Sequence, residues 1–397
     1  MKNYQVIIVG GGNAGISVAA QLKRKKPQIE IAVIEPSEKH YYQPAWSLVG
    51  GGVFDIKDTV RTEASVIPEG VIWLKDAVAT FQPEQNMLTT KKGEQYTYSF
   101  LIVCPGIQLD WDAVKGLKET LGKNGVTSNY IFDTAPYTYE VLKSLKPGQK
   151  ALFTAPGTPV KCGGAPQKVM YLSADYLQKH NIHDVTVDFC TAGGVIFGIK
   201  EYADELLKVV GKYGIRLSFK HDLVAIDGPA HKATFKVTAP DGTVNMVEKE
   251  FDMIHVTPPQ SAPDFIKNSP LADKAGWIDL DKDTLQHTRY PNVFGLGDAG
   301  NTPNSKTGAA VRKQAPVVVA NVVAALAAQS LPGTYNGYGS CPLIVGYGKL
   351  ILAEFDYDNK RIETFPFDQS KPRWSMWALK KYVLPWMYWN KILKGTA

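Results

Sequence analysis

Four cysteines are the residues of this chain best suited to redox or nucleophilic chemistry, and Cys162 has the most reactive setting. It follows Lys161, precedes two glycines and stands just before a segment of helical periodicity. A neighbouring cation and a helix N-terminus both lower the pKa of a thiol and favour the nucleophilic thiolate. Cys341 lies in a Gly/Pro-rich segment predicted to be a turn, whereas Cys104 and Cys190 lie in apolar strands and are predicted to be buried. No two cysteines form C-x-x-C, so zinc knuckles, c-type haem attachment and thioredoxin-type sites lack support.

A glycine-rich turn near the N-terminus is a candidate phosphate-binding loop. It reads Gly10-Gly-Gly-Asn-Ala-Gly15, after a predicted strand at Gln5–Val9 and before a predicted helix at Ile16–Lys26. A second predicted strand ends at Glu35, twenty residues after the last glycine. The glycines allow the backbone to approach a pyrophosphate, the helix N-terminus supplies N–H groups, and the acid accepts ribose hydroxyls. This strand–helix–strand unit predicts a dinucleotide site.

A second pair of strand–helix units follows in the middle of the chain. Strands are predicted at Lys150–Ala155 and Val185–Thr191, and helices at Gln167–His180 and Tyr202–Tyr213. The repeat indicates a second Rossmann-like domain. Its first turn, residues 156–166, holds three prolines and lacks the glycine spacing of a phosphate cradle. We therefore predict that NAD(P)H is not the reductant.

The segment Thr288–Asp298, T-R-Y-P-N-V-F-G-L-G-D, resembles a pattern found in flavoproteins with two dinucleotide-binding domains. In those proteins the aspartate, here Asp298, binds the ribityl chain of FAD, and the next helix, here from Lys306, points its N-terminus at the flavin. Leu101–Gly106 takes the place of another conserved turn but departs from it with Cys104-Pro105. The resemblance implies an α/β, tandem Rossmann-like fold with FAD at the first site.

Composition describes an ordinary globular chain of 397 residues with a net charge of +6. Hydrophobic residues make up 44% and charged residues 21%, which excludes disorder as the main state. The weak basic balance does not argue for nucleic acid. The seven histidines have no metal-ligand spacing, so no metal site is predicted. The N-terminal apolar run stops at glycines, unlike a secretory signal, and the longest apolar run, Ala315–Ala328, is too short to span a bilayer.

The last 29 residues, 369–397, are here named the C-terminal tail, and their composition differs from the rest. The tail has no acidic residue, six Lys or Arg, and four of the eight tryptophans: Trp374, Trp377, Trp386 and Trp389. Basic and aromatic residues together are typical of a segment that lies in a membrane interface. The alternative is an aromatic helix, interrupted at Pro385, that packs on the protein's own core.

Taken together, these residues resemble the sulfide:quinone oxidoreductases, in the branch that contains the mitochondrial enzyme. The resemblance covers nearly the whole chain, and its most specific stretches are Tyr41–Pro44, Pro159–Lys168, His255–Pro259, Tyr290–Gly295, Ser340–Leu343, Ile351–Tyr357 and Thr364–Ser370. The resemblance implies that Cys162 and Cys341 are the redox pair beside the flavin. The FAD-binding positions it implies are Gly10, Gly12, Asn13, Ala14, Gly15, Glu35, Gln43, Val78, Gly106, Asp298, Lys306, Thr307, Gly308 and Ala309.

The implied reaction is the two-electron oxidation of hydrosulfide, through a persulfide on Cys341 and FAD, to a membrane quinone. The sulfane sulfur would pass to sulfite, glutathione or further sulfide. His255, near the flavin in this family, is a further candidate for protonating sulfide. The implied location is peripheral, on the cytoplasmic face of a bacterial inner membrane or on a mitochondrial-type inner membrane, and a homo-oligomer stays open.

The predicted domains are an FAD domain (residues 1–112 and 288–330), a second Rossmann-like domain (113–287) and a C-terminal region (331–397) that carries Cys341 and the tail. Three alternatives remain at this point. A type 2 NADH dehydrogenase would share the architecture and the quinone. A non-enzymatic flavin-binding or sulfide-sensing protein would explain a bound FAD. A flavocytochrome would need a haem subunit as partner.

Overall fold

The computed structural model describes residues 2–397. The strands, numbered along the chain, are β1 (Lys2–Val9), β2 (Ile31–Ile34), β3 (Lys39–Tyr41), β4 (Val60–Thr62), β5 (Val71–Leu74), β6 (Val78–Gln82), β7 (Met87–Thr90), β8 (Gln95–Val103), β9 (Gln108–Leu109), β10 (Val126–Thr127), β11 (Lys150–Ala155), β12 (Thr186–Thr191), β13 (Arg216–Phe219), β14 (His221–Asp227), β15 (Lys232–Thr238), β16 (Val244–Glu250), β17 (Met253–His255), β18 (Gln260–Ser261), β19 (Val293–Gly295), β20 (Gly339–Gly346) and β21 (Lys349–Phe355).

The α-helices, numbered in the same way, are α1 (Asn13–Lys25), α2 (Trp46–Gly50), α3 (Leu117–Thr120), α4 (Ala135–Ser144), α5 (Ala165–Lys179), α6 (Lys200–Tyr213), α7 (Asp264–Lys267), α8 (Gly308–Leu326), α9 (Trp374–Ala378) and α10 (Leu384–Met387). Short 3-10 turns connect several elements, among them Gln43–Ala45 and Glu63–Ser65.

The first sheet carries the N-terminal dinucleotide unit. Its order is β5-β2-β1-β8-β7-β6, and β19 pairs with β8. The pairs among β5, β2, β1, β8 and β19 are parallel, so the carboxyl ends of these strands share one edge. Apolar runs such as Val6–Val9 are buried on both faces, as parallel strands require. The predicted strand–helix–strand unit is confirmed, and α1 begins at Asn13, three residues before the predicted start.

The second sheet has the order β10-β17-β11-β12-β13 and is parallel throughout. Helices α5 and α6 follow β11 and β12, so the predicted repeat of strand–helix units is confirmed. A separate antiparallel sheet, β14-β15-β16, follows β13 along the chain. The chain therefore has the tandem Rossmann-like architecture, and the exact domain boundaries stay a prediction.

Helix α8 is the one helix within residues 2–397 that is long and apolar enough to cross a membrane by length and composition. Half of its most apolar window is buried inside the protein. Val311, Ala315 and Val318 pack in one cluster with Val18 of α1. This packing is that of a core helix, which brings the N-terminus of α8 to the same edge as that of α1.

The prediction that Cys341 lies in a turn is wrong, because Cys341 is part of strand β20. β20 and β21 form an antiparallel hairpin in which Cys341 pairs with Ala353. Gly339 and Pro342 suggested a turn, but a two-stranded hairpin has only edge strands, and an edge strand accepts a proline. The hairpin packs on α5, so Cys341 lies against the helix that follows Cys162.

The C-terminal tail is helical from Trp374 to Ile392, with π-helical turns after α9 and α10. The expected interruption at Pro385 does not occur: Pro385 follows the π-helical turn Leu379–Val383, and the backbone stays helical on both sides of it. Trp377 and Trp389 are buried, whereas Trp374 and Trp386 are 70% and 55% exposed. The alternative of an aromatic helix packed on the protein's own core is therefore confirmed for one face of the tail. The other face is exposed, and the membrane interpretation stays a prediction.

Candidate functional site

The glycine loop after β1 has the shape of a phosphate cradle. Gly10 has a φ of +104°, and a Cβ there would lie 2.5 Å from the carbonyl oxygen of Cys104. A Cβ on Gly15 would overlap the Gly10 carbonyl, so Gly15 lets α1 pack closely on the loop. A Cβ on Gly12 would meet nothing within 4 Å, and the same holds for Gly106 after β8. The loop thus leaves open space where a side chain would project.

Glu35, at the carboxyl end of β2, closes one side of this loop. Its Oε2 accepts a hydrogen bond of 2.8 Å from the N–H of Gly11, and burial raises the pKa of its carboxyl group. Asn13 and Ala14 form the first turn of α1 directly behind the loop. Val78 is buried in the core beneath the first sheet. The structure therefore brings the glycines and the predicted ribose-binding acid together.

The N-terminus of α8 faces that of α1. Thr307 caps α8 by accepting a hydrogen bond of 3.1 Å from the N–H of Ala310. A Cβ on Gly308 would lie 3.6 Å from the side-chain nitrogen of Asn13, so the starts of both helices border one space. Helix N-termini favour anions and supply free N–H groups. Two such termini, with open glycines between them, fit a dinucleotide such as FAD.

Asp298, three residues after β19, and Lys306 are half-buried and influence each other's pKa. Burial raises the pKa of Asp298, against the effect of the Lys306 and Lys161 ammonium groups. Burial lowers the pKa of Lys306 to about 8, and its Nζ donates to the carbonyl oxygen of Gly300 at 2.7 Å. Asp298 is the residue predicted to take the ribityl hydroxyls, and that role stays a prediction. Ala309 follows in the first turn of α8.

Cys162 is tied directly to this part of the site. Its N–H donates to the carbonyl oxygen of Lys306 at 2.7 Å, and its own carbonyl accepts from Ala165 at 2.7 Å. Its φ is +57°, a left-handed conformation that is rare for a residue with a side chain. Lys168, in the first turn of the following helix, donates to the Cys162 sulfur at 3.0 Å. Strained backbone conformations cluster at functional sites, so the conformation of Cys162, fixed by two backbone hydrogen bonds, indicates that its side chain has a function.

The two predicted redox cysteines meet at this point. Cys162 packs against the core cluster that contains Cys341, and within the described chain all four cysteines are free. Interaction with the Cys341 thiol, together with the Lys168 ammonium, holds the pKa of Cys162 well below its usual range. The same interaction and burial raise the pKa of Cys341. The Ser305 hydroxyl lies 3.7 Å from the Cys341 sulfur. Cys162 is therefore the thiolate of the pair.

Three lysines lie in this corner of the site, of which Lys168 and Lys380 are buried and Lys161 is half-buried. Burial lowers the pKa of Lys161 to about 8, and its Nζ donates to the Gln43 side chain at 2.6 Å. Burial also lowers the pKa of Lys380 to about 7, and its Nζ donates to the carbonyl oxygen of Pro44 at 2.8 Å. The third lysine is Lys168, which is buried and whose positive charge helps to lower the pKa of Lys380. Sequence analysis missed Lys168 and Lys380; their signal was a lysine six residues after the cysteine and one inside the aromatic tail.

Other sequence-based expectations have different outcomes. Cys104 and Cys190 are buried, as predicted, and burial raises the pKa of both thiols. His255 is buried, accepts a hydrogen bond of 3.0 Å from the N–H of Asn129, and has its pKa lowered by burial to about 3. A ring that stays neutral and already accepts at Nε2 does not support the role of protonating sulfide. Among residues 2–397 no three His, Cys, Asp or Glu are grouped to hold a metal ion.

Comparison with known proteins adds independent information. Residues 4–137 match the family described as pyridine nucleotide-disulphide oxidoreductase. The chain is 50% identical to the mitochondrial sulfide:quinone oxidoreductase of Dictyostelium discoideum, over 100% of this chain and 87% of the relative. It is 45% identical to the enzyme of the same name from Mus musculus, over 99% and 87%. The crystal structure of the sulfide:quinone oxidoreductase from Aquifex aeolicus superposes with a TM-score of 0.80 at 20% identity, covering 98% of this chain and 92% of that one, which shows a shared fold.

Proposed function

This chain belongs to the sulfide:quinone oxidoreductase family, and on that premise we propose that Cys162 and Cys341 are the pair that takes sulfur from hydrosulfide. The protein is an FAD-dependent oxidoreductase whose substrates are sulfide and a quinone. The observation that carries the proposal is the packing of Cys162 against the cluster that contains Cys341, with the Lys168 Nζ 3.0 Å from the Cys162 sulfur. Bound FAD supplies the two-electron relay between the cysteine pair and the quinone.

The direction of attack follows from the unequal thiols. When Cys162 and Cys341 are joined as a disulfide, attack on one sulfur expels the other as a thiolate. The sulfur with the lower pKa leaves faster. Cys162 has the lowered pKa and the Lys168 ammonium at 3.0 Å, so hydrosulfide attacks the sulfur of Cys341. The disulfide S–S bond breaks, a new S–S bond forms the persulfide on Cys341, and Cys162 leaves as a thiolate.

The second half-reaction clears the sulfur. A nucleophilic acceptor, which we propose to be sulfite, glutathione or further sulfide, attacks the outer sulfur of the Cys341 persulfide and carries it away. Both cysteines are then reduced, and re-forming their S–S bond releases the two electrons that the quinone finally takes. The Lys168 ammonium at the Cys162 sulfur places positive charge beside the cysteine pair, which favours the approach of anions such as hydrosulfide and sulfite.

The exposed face of the C-terminal tail supports a location at a membrane surface. Trp374, Tyr382 and Trp386 are 70%, 60% and 55% exposed, and Lys391 is exposed beside them. We propose that this face enters the interface of a quinone-containing membrane, of the mitochondrial type as in the named relatives. The cytoplasmic face of a bacterial inner membrane and a homo-oligomer stay predictions. In liposome flotation, Trp386→Ser should lower bound protein severalfold, whereas Ile72→Ser, at an exposed site outside the tail, should not.

The redox proposal is tested by anaerobic stopped-flow absorbance. Wild-type protein mixed with sulfide should lose its flavin absorbance band and regain it on addition of a short-chain quinone. Cys341→Ser should abolish the sulfide-driven loss, because no persulfide can form there. Cys190→Ser, at a buried cysteine outside the site, is the matched control and should react like wild type. Full-rate flavin reduction by sulfide in Cys341→Ser would refute the assignment.

A further inference from the structure

A buried chain of side chains that the sulfur chemistry does not use links the C-terminal tail to the glycine loop. The Tyr388 hydroxyl lies 2.6 Å from Nε2 of His40. Nδ1 of the same ring lies 3.2 Å from a carboxylate oxygen of Glu63 and 3.1 Å from the carbonyl oxygen of Gly11. All three side chains are nearly inaccessible to solvent. Because a carbonyl oxygen only accepts, Nδ1 carries a hydrogen that it donates toward Gly11, while Nε2 forms the hydrogen bond with the Tyr388 hydroxyl.

The bond to Gly11 orients the cofactor loop. In a trans peptide the C=O of one residue and the N–H of the next point in opposite directions. Holding the Gly11 carbonyl toward His40 therefore turns the N–H of Gly12 away from this network. Gly12 precedes the first residue of α1, where free N–H groups are available to a pyrophosphate. The N–H of Gly11 is held at the same time by Glu35 at 2.8 Å, so both ends of this residue are fixed.

The tail also packs on the helix behind the loop. Tyr388 and Trp389 belong to one buried cluster with Ile16 of α1. The Tyr388 ring lies 4.7 Å from that of Tyr42, and the Arg61 guanidinium lies 4.3 Å from the Trp389 ring. The packed half of the tail thus contacts both the group that orients Gly11 and the helix that begins at Asn13.

We propose that Tyr388 and His40 are positioning residues that couple the seating of the tail to FAD binding. The coupling is reciprocal, since two binding events that influence each other do so by the same factor. Loading with FAD then tightens the segment 388–393, and loss of the Tyr388 bond weakens FAD binding. The inference rests on FAD as the cofactor and on no part of the sulfide or quinone chemistry.

The test compares two tyrosines of the same tail. FAD dissociation constants are measured by diluting the full-length holoenzyme and recording the fluorescence of released FAD. Tyr388→Phe, which removes one hydroxyl, should raise the constant about three- to tenfold, the usual effect of one buried hydrogen bond. Tyr382→Phe, whose ring is 60% exposed, should leave it unchanged. Hydrogen exchange of residues 388–393 should be slower in wild-type holoenzyme than in the FAD-depleted chain. In Tyr388→Phe this protection by FAD should decrease by the same factor by which the FAD dissociation constant increases.

A purely structural role gives a different pattern. Tyr388→Phe would then lower the melting temperature equally with and without FAD and leave the dissociation constant unchanged, which would overturn the proposal. Equal weakening by Tyr382→Phe would also overturn it. His40→Gln provides a second variant, which should raise the FAD dissociation constant on its own. Adding Tyr388→Phe to it should raise the constant little further, because the contact from Tyr388 through His40 to Gly11 is already broken. Since no readout involves sulfide or quinone, these outcomes are independent of whether the cysteine pair acts as proposed.

Discussion

Lys168 offers the sharpest test of why Cys162 is the thiolate of the pair. Its Nζ lies 3.0 Å from the Cys162 sulfur, and its side chain is buried. We expect Lys168→Met, which keeps the volume and removes the charge, to raise the pKa of Cys162. The matched control is Lys179→Met. Lys179→Met removes the same charge from the same helix, eleven residues further along. That position is about 16 Å away along the helix axis, where salt screens its charge from Cys162.

The size of the effect follows from the contact. A unit charge at 3.0 Å attracts a thiolate by about 5–6 kcal/mol at an effective dielectric constant of about 20. Desolvation of the ammonium group offsets most of this, and a hydrogen bond to a charged group contributes about 1.5–3 kcal/mol net. At about 1.36 kcal/mol per pH unit, the titration midpoint should move up by about one to two pH units.

The assay is the rate of Cys162 alkylation by iodoacetamide as a function of pH, followed on its peptide by mass spectrometry. The Cys341→Ser background prevents a disulfide and keeps a hydroxyl donor at that position. Cys104 and Cys190 are buried with raised pKa values and react little. Because the thiolate is the reactive form, the rate curve of Lys168→Met should lie at higher pH than that of Lys179→Met. The same midpoint in both variants would refute the role of Lys168.

Three further predictions follow from the site. Burial lowers the pKa of Lys380 from 10.5 to about 7, so between these values the folded state binds fewer protons than the unfolded state and wild-type stability rises with pH. Lys380→Met should therefore stabilise the fold by about 1–4 kcal/mol near neutrality and by less in alkaline solution, as measured by denaturant unfolding; a pH-independent gain would contradict this. Gly12→Ala should weaken FAD binding by about tenfold or more without lowering the melting temperature of the FAD-depleted chain, whereas Gly10→Ala should lower that temperature because its φ is +104°. NADH should leave the flavin absorbance unchanged under anaerobic conditions in which sulfide removes it, since the turn at 156–166 lacks a phosphate cradle; loss of the band with NADH would show that prediction to be wrong.

The parts of the protein that the sequence predicts well are those built from neighbouring residues. The first strand–helix–strand unit depends on local periodicity and on glycines whose spacing follows from the turn they form. Burial of Cys104 and Cys190 follows from the apolar strands around them. The sequence singled out Cys162 through Lys161 and the start of α5, but the cation that contacts its sulfur is Lys168, and Lys161 instead bonds Gln43.

Two features that sequence reasoning missed, the strand position of Cys341 and the role of Lys380, join segments far apart in the chain. Cys341 was predicted in a turn because Gly339 and Pro342 are turn residues, and its place in β20 depends on pairing with β21. Lys380 reaches the site because the tail packs against Gln43–Ala45, and no local pattern shows that a lysine among tryptophans will be buried.

The sequence by itself thus determined the architecture, the dinucleotide loop and the family, because each depends on local order or on recognisable motifs. Its assignment of Cys162 and Cys341 as the redox pair stays a prediction. Only the tertiary structure decided that the two thiols meet, that Lys168 selects Cys162 as the thiolate, and that Tyr388 reaches Gly11 through His40. The physical reason is that charge and hydrogen bonding act over a few ångströms in space. Which residues come that close is set by the packing of the hairpin on α5 and of the tail on the first domain.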